Sequence, residues 1–131
     1  MPKTIIIIDD DADTRTYLST ILLRGGYKVL TAGDGQEGWN LIQEHKPDLV
    51  LLDMMMPRKS GLNLLNEIKT NSNFSHIPVI MVSGVGQMTG VDMQRYLADK
   101  TMDKKIKPGA FLEKPVKPEK LLKVVAEFLV D

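Results

Sequence analysis

Residues 47–57 have the sequence PDLVLLDMMMP, in which four consecutive apolar residues, 49–52, are followed directly by Asp53. Such a short and uninterrupted apolar run is typical of a strand that is buried on both faces, as in a parallel sheet covered by helices. The acid at its end would then lie at the carboxyl edge of that sheet. This stretch therefore predicts both the class of fold and the position of a polar side chain at the edge of the sheet.

Two further runs of the same kind occur elsewhere in the chain. Residues 5–8 are four isoleucines that lead into Asp9 and Asp10, and the apolar residues 79–82 lead into Ser83. Each run is long enough for one buried strand and ends at a polar residue. The three runs together predict a sheet whose carboxyl edge carries a group of polar side chains.

Weaker strands and helices complete the predicted pattern. We expect the two weaker strands at residues 28–31 and 110–112. Apolar residues spaced by three or four positions predict helices between the strands, and the second helix should cover about residues 36–44, after Asp34 or Gly35. Five alternating β/α units joined by right-handed crossovers form a doubly wound sheet. We therefore predict an α/β fold with a five-stranded parallel sheet and five helices.

The overall composition limits the possible functions. Of the 131 residues, 43% are apolar and 26% are charged, and the 17 basic side chains balance the 17 acidic ones. We therefore expect one folded domain that does not bind nucleic acid. The chain has no cysteine, which excludes disulfides and thiolate metal sites. Its first apolar run is too short for a signal peptide or a membrane span, so we expect a soluble cytoplasmic protein without a membrane partner.

The polar residues at the predicted edge suggest a specific chemistry. Asp9, Asp10 and Asp53 end two strands, Ser83 ends a third, and Lys114 follows the last one. Ligands of open α/β sheets bind beyond this edge, and three neighbouring carboxylates repel one another unless a cation offsets their charge. All-oxygen ligands favour a hard ion, Mg²⁺ or Mn²⁺. A carboxylate nucleophile, a metal ion and an ammonium group together indicate a site that forms an aspartyl phosphate.

Five blocks of the sequence form a recognisable signature. They are IDDD at residues 8–11, PDLVLLDMMMP at 47–57, Gly61, VSG at 82–84 and FLEKP at 111–115. In this order they strongly resemble the response regulator receiver family, and the resemblance covers essentially the whole chain. It implies the CheY-like, flavodoxin-like fold with strand order 2-1-3-4-5. We also expect residues 1–131 to form a single receiver domain, because the chain stops where the last predicted helix ends. The sequence leaves open whether this domain stands alone or was cut from a larger protein.

The resemblance implies roles for individual residues around the expected phosphoryl group. Asp53 matches the aspartate that accepts this group, Ser83 matches the hydroxyl residue that hydrogen-bonds it, and Lys114 matches the lysine that pairs with one of its oxygens. Phe111 matches an aromatic switch that turns inward on phosphorylation, although a simple place in the core explains its packing equally well. The bond between Lys114 and Pro115 matches a peptide bond that is cis in the family.

The resemblance also implies a set of ligands for Mg²⁺. Asp9 and Asp10 match the acidic pair that binds the ion, Asp10 by direct coordination and Asp9 through a water molecule. Asp53 and the backbone carbonyl of Met55 would complete the ligands from the protein. Mn²⁺ is an alternative ion.

The resemblance implies a function in two-component signal transduction. The expected phosphoryl donor is a sensor histidine kinase or a phosphotransfer protein, and the chain would catalyse only its own phosphorylation and dephosphorylation, so we do not expect an enzyme of another kind. A downstream protein target is expected to bind the face formed by the fourth helix, the fifth strand and the fifth helix. Residues 84–109 are longer than is usual in the family and should contain a fourth helix over residues 91–102. We hypothesise that this segment determines which partner binds.

Two other functions agree less well with the sequence. A receiver-fold interaction module could bind its partner without phosphorylation, although the presence of every expected residue type argues against it. A nucleotide enzyme is suggested by Gly84 and Gly86, which follow a strand. However, Gly90 falls one place late for the GxGxxG pattern, and that loop belongs after the first strand, where this chain has acids.

Overall fold

The structure is a computed structural model that describes residues 2–54, 56, 60–84 and 108–130. Its strands are β1 (Thr4–Ile8), β2 (Lys28–Ala32), β3 (Leu49–Asp53), β4 (Val79–Ser83) and β5 (Ala110–Glu113). Its described helices are α1 (Ala12–Arg24), α2 (Gly35–His45), α3 (Gly61–Thr70) and the C-terminal helix (Pro118–Phe128). None of these helices combines the length and the apolar character that crossing a lipid bilayer requires.

The five strands form one parallel sheet in the order β2-β1-β3-β4-β5. This confirms the predicted doubly wound α/β fold and its strand order. Four of the five predicted helices are present. The predicted fourth helix, at residues 91–102, lies outside the described residues, and so does most of the segment to which we assigned partner choice.

The sheet divides the core into two layers because alternate side chains of a strand point to opposite faces. On one face Ile6, Ile8, Val50 and Leu52 pack with side chains of α2 and α3. On the other face Ile5, Ile7, Leu49 and Leu51 pack with side chains of α1 and the C-terminal helix. Every residue of β3 and β4 is buried, as the uninterrupted apolar runs predicted.

The register of the strands aligns their polar ends. Ile8 of β1 is opposite Leu52 of β3, so Asp9 and Asp53 follow neighbouring residues. On the other side of the sheet Ser83 is opposite Glu113. The N–H of Lys114 continues this ladder and donates to the Ser83 carbonyl at 2.7 Å. The sheet itself therefore brings the predicted site residues to one edge.

Side-chain caps fix where the first three helices begin. Asp34 caps α2 by accepting a hydrogen bond from the N–H of Glu37 at 2.8 Å. Of the two residues that the sequence allowed before this helix, Asp34 and Gly35, the first is therefore the cap. Asp11 caps α1, and the hydrogen bond from the Thr14 hydroxyl lowers the pKa of Asp11. Because each of these two caps is the last residue of its loop, the caps set the length of the loops that surround the site.

Candidate functional site

The carboxyl ends of β1 and β3 bring three acids together. Asp9 and Asp53 are buried, with 1% and 4% of their surface exposed, whereas Asp10 is exposed. One carboxylate oxygen from each of the three lies within 4.8 Å of the others. Burying two carboxylates at this distance is unfavourable without a nearby positive charge. The arrangement could therefore hold a cation.

Lys114 supplies one of these positive charges. Its Nζ lies 2.9 Å from Asp9 Oδ2 and 3.7 Å from Asp53 Oδ1. Partial burial on its own lowers the pKa of Lys114, but the hydrogen bond to Asp9 and the charges of Asp53, Asp9 and Asp11 outweigh burial and raise the pKa above its ordinary value. The side chain is therefore an ammonium ion at neutral pH.

The three carboxylates also fit a divalent ion. Asp9, Asp10 and Asp53 offer only oxygen atoms, and the described residues near them include no thiolate or imidazole ligand. Hard ions such as Mg²⁺ prefer this donor set and retain several waters, which the exposed position of Asp10 allows. The structure thus brings together three of the four predicted metal ligands, while Met55 lies outside the described residues.

The loop that carries the acidic pair is held by hydrogen bonds of its own. Asp9 Oδ1 accepts from the N–H of Asp11 at 2.9 Å, and the Asp9 carbonyl accepts from Arg15 Nη1 at 2.6 Å. The N–H of Asp9 donates to the carbonyl of Ala32 at 3.1 Å. Both peptide groups of Asp9 are therefore fixed, and its carboxylate is held toward Lys114.

Gly61, the first residue of α3, lies directly against the end of β3. Its N–H donates to the Met54 carbonyl at 3.2 Å, and a Cβ atom at this position would overlap the carbonyl oxygen of Asp53. Non-bonded carbon and oxygen atoms cannot overlap in this way, and the obstacle is backbone, which cannot rotate away. The contact therefore requires glycine beside Asp53.

We expect Gly61→Ala to destabilise the fold by about 1–2 kcal/mol. Overpacking typically costs about 1–3 kcal/mol, and the higher helix propensity of alanine returns no more than about 1 kcal/mol. Urea unfolding followed by circular dichroism measures the change. Gly33→Ala is the matched control, since a Cβ there would lie 3.4 Å from its nearest neighbour, an Arg15 nitrogen, and should change stability by less than about 0.5 kcal/mol. Equal stability of the Gly61 variant would contradict the packing argument.

A family model that describes the response regulator receiver domain matches residues 5–126 of the chain. The chain belongs to this family. The match includes every described residue of the acidic site, so the geometry above is that of a receiver domain of two-component signal transduction.

Proteins of similar length are related to this receiver over most of their sequence. Protein PilH of Pseudomonas aeruginosa is 36% identical over 121 residues, which are 92% of this chain and 93% of PilH. The polar-differentiation response regulator DivK of Brucella anthropi is 28% identical over 134 residues, covering 100% of this chain and 99% of DivK. Other relatives are longer, and the chain spans 42% of a probable transcriptional regulator, ycf27, of Guillardia theta.

Solved structures share the fold of this receiver. The chemotaxis protein CheY4 of Vibrio cholerae has a TM-score of 0.83 and 26% identity, and the match covers 98% of this chain and all of CheY4. The receiver domain of NtrX from Brucella abortus has a TM-score of 0.80 and 31% identity, covering 95% of this chain and 97% of that domain. The resemblance inferred from the five sequence blocks is therefore confirmed.

Two further predicted positions of the receiver lie next to the acids. The Lys114–Pro115 peptide bond is cis, the isomer that the resemblance implied. Phe111 is partly buried and packs against the same core layer as Met81. Its packing is thus that of a core residue at the margin of the sheet, and its role as a switch stays a prediction.

Sequence reasoning missed two side chains that support the site of this receiver. Arg15 reaches back from α1 to the Asp9 carbonyl, as described above. Tyr17 donates its hydroxyl proton to the Val116 carbonyl at 2.7 Å and so ties α1 to the segment that follows Pro115. Neither residue belongs to a spacing pattern, because each contact depends on how a loop folds back on a helix.

Proposed function

We propose that this receiver accepts a phosphoryl group onto Asp53 from a phosphohistidine of a sensor histidine kinase or a phosphotransfer protein, with Mg²⁺ as its cofactor. The observation that carries this proposal is the position of Asp53. Its carboxylate is buried at the end of β3, with the ammonium group of Lys114 3.7 Å from one oxygen and the acidic pair beside it. A buried carboxylate beside an ammonium group and a candidate cation site is suited to accept an anionic phosphoryl group.

In the proposed reaction a carboxylate oxygen of Asp53 attacks phosphorus while the bond from phosphorus to the donor nitrogen breaks. Such transfers depend on position and charge neutralisation more than on acid–base chemistry. β3 and the close contact with Gly61 fix the backbone of Asp53, and the ammonium group of Lys114 offsets negative charge on the phosphoryl oxygens. Bound Mg²⁺, held by Asp9, Asp10, Asp53 and the carbonyl of Met55, would neutralise further charge.

Ser83 is suited to report that Asp53 has been phosphorylated. It ends β4, beside the last residues of β3, and only 1% of its surface is exposed. A hydroxyl can both donate and accept hydrogen bonds, so it can turn toward new phosphoryl oxygens. Movement of Ser83 would leave space toward Phe111 on the neighbouring strand, and we propose that Phe111 then turns inward.

We propose that a downstream protein binds the face to which β5 and the C-terminal helix contribute. Phe111 lies on this face, next to a groove of about 400 Å³. The groove is lined by Phe111, Leu112, Glu113, Pro115, Val116, Lys117 and Lys120. A change at Phe111 would alter one wall of this groove. In this proposal the chain catalyses only its own phosphorylation and dephosphorylation.

Incubation with a small phosphodonor tests the proposed function directly. With acetyl phosphate and MgCl₂, intact-mass spectrometry should show the gain of one phosphoryl group, and hydroxylamine should remove it because acyl phosphates are sensitive to that nucleophile. Chelation with EDTA should suppress the gain, since the carboxylates then keep their mutual repulsion. The absence of any gain with Mg²⁺ or Mn²⁺ would contradict the proposal and favour a module that binds its partner without phosphorylation.

A further inference from the structure

Arg15 places a positive charge beside the acidic site, and among the described residues its hydrogen bond there is to a backbone carbonyl and not to a carboxylate. It lies in the second turn of α1, and its Nη1 donates to the backbone carbonyl of Asp9 at 2.6 Å. The same guanidinium group lies against the loop after β2, since its Nη1 is 3.4 Å from the position that a Cβ atom would take if Gly33 carried one. Hydrogen bonds from a charged donor are shorter and roughly twice as strong as neutral ones. The Asp9 carbonyl is therefore firmly held.

That carbonyl belongs to the peptide group that joins Asp9 to Asp10. The preceding peptide group of Asp9 is fixed by its N–H bond to Ala32, and the N–H of Asp11 is fixed by the Asp9 carboxylate. The bond from Arg15 fixes the one peptide group between them. The direction in which the side chain of Asp10 points from the backbone thus depends on Arg15, although Asp10 itself is exposed.

We propose that Arg15 is a positioning residue for metal binding, which holds the Asp10 carboxylate in place for Mg²⁺ by clamping the Asp9 carbonyl. The inference rests on the proposed function, because it needs the acidic pair to bind Mg²⁺. Residues that orient metal ligands without touching the metal are commonly worth about tenfold or more in affinity. Arg15 has this relation to Asp10.

The sign of the effect separates positioning from simple charge. A guanidinium group close to a cation site repels the cation, so removal of its charge alone would tighten the binding of Mg²⁺. Removal of a clamp would loosen it, because Asp10 would have to be ordered when the ion binds. A contribution of Arg15 to the stability of α1 alone would lower the melting temperature and leave the affinity of the folded protein unchanged.

The test is a titration of the full chain with MgCl₂ alone, followed by ¹H–¹⁵N NMR through the amide signals of Asp11 and Met54. The variants are Arg15→Met, Arg15→Lys and the control Arg24→Met, which removes an exposed arginine from the last turn of the same helix. The same spectra show whether each variant is folded. No phosphodonor is present, so the readout is independent of phosphorylation.

We expect Arg15→Met to weaken Mg²⁺ binding roughly tenfold. Arg15→Lys keeps an N–H donor and should recover part of this loss, and Arg24→Met should bind as the wild type does. Unchanged or tighter binding by folded Arg15→Met, or an equal loss in Arg24→Met, would overturn the inference while leaving the proposed function intact. If the wild type bound neither Mg²⁺ nor Mn²⁺, the metal-dependent function and this inference would both fail.

Discussion

Asp53→Asn is expected to abolish the gain of a phosphoryl group from acetyl phosphate, slowing it by at least about 1,000-fold. An amide oxygen is a far poorer nucleophile than a carboxylate, and the substitution also replaces one of the three carboxylates proposed to hold Mg²⁺ with a neutral amide. The side chains have almost the same shape, so the buried position at the end of β3 should be retained. Intact-mass spectrometry at several times measures the rate in both proteins.

Asp13→Asn is a matched control for this experiment. It makes the same change of charge in the first turn of α1, where the Asp13 side chain is exposed. Its phosphorylation rate should equal that of the wild type. If Asp53→Asn gained the phosphoryl group as fast as the control, the acceptor would be a different residue and the proposed role of Asp53 would be wrong.

Lys114→Met is expected to slow phosphorylation about 100-fold, the usual loss when one charged group that stabilises a transition state is removed. Its ammonium group lies 2.9 Å from a carboxylate oxygen of Asp9 and 3.7 Å from one of Asp53. At the same time, Mg²⁺ should bind at least as tightly as in the wild type, because the ion no longer competes with the ammonium group for the same oxygens. The phosphorylation rate should therefore fall while the affinity for Mg²⁺ rises or stays the same.

Lys123→Met is the control for the charge change, since Lys123 is exposed on the C-terminal helix. It should leave both the rate and the Mg²⁺ affinity unchanged. The rate is followed by intact mass and the affinity by the NMR titration. A Lys114→Met variant that was phosphorylated at the rate of the wild type would show that Lys114 only balances charge in the resting protein.

The strands and the residues at their ends could be predicted because both depend on local sequence. A run such as residues 49–52 is typical of a strand that is buried on both faces in a covered parallel sheet, and Asp53 follows it directly. The carboxyl ends of parallel strands lie at one edge of the sheet, so strand order and register place Asp9 close to Asp53. Lys114 was placed correctly for the same reason, since β5 delivers it to that edge.

The contacts that support the site could not be predicted, because they depend on packing between distant segments. The hydrogen bond from Arg15 to Asp9 forms only after the loop before α1 has turned back on the helix. The packing of Trp39 depends on a distant segment in the same way. Its ring meets Phe74 edge-on, with centroids 5.5 Å apart and an interplanar angle of 74°, and Phe74 lies beyond α3 in the chain. Spacing within one helix carries no information about such a partner.

Contacts between the N-terminal elements and the residues that follow β5 determine when the site can form during synthesis of the chain. Tyr17 and Val116 are 99 residues apart, and the acids of β1 and β3 likewise depend on Lys114 from the end of β5. A ribosome makes β1, β3 and β4 before β5, and contacts of such high contact order form late. A nascent chain that ends before residue 110 would hold the acids without their ammonium partner. In the proposed function, full competence to accept a phosphoryl group therefore arises only after β5 has joined the sheet and brought Lys114 to the acids.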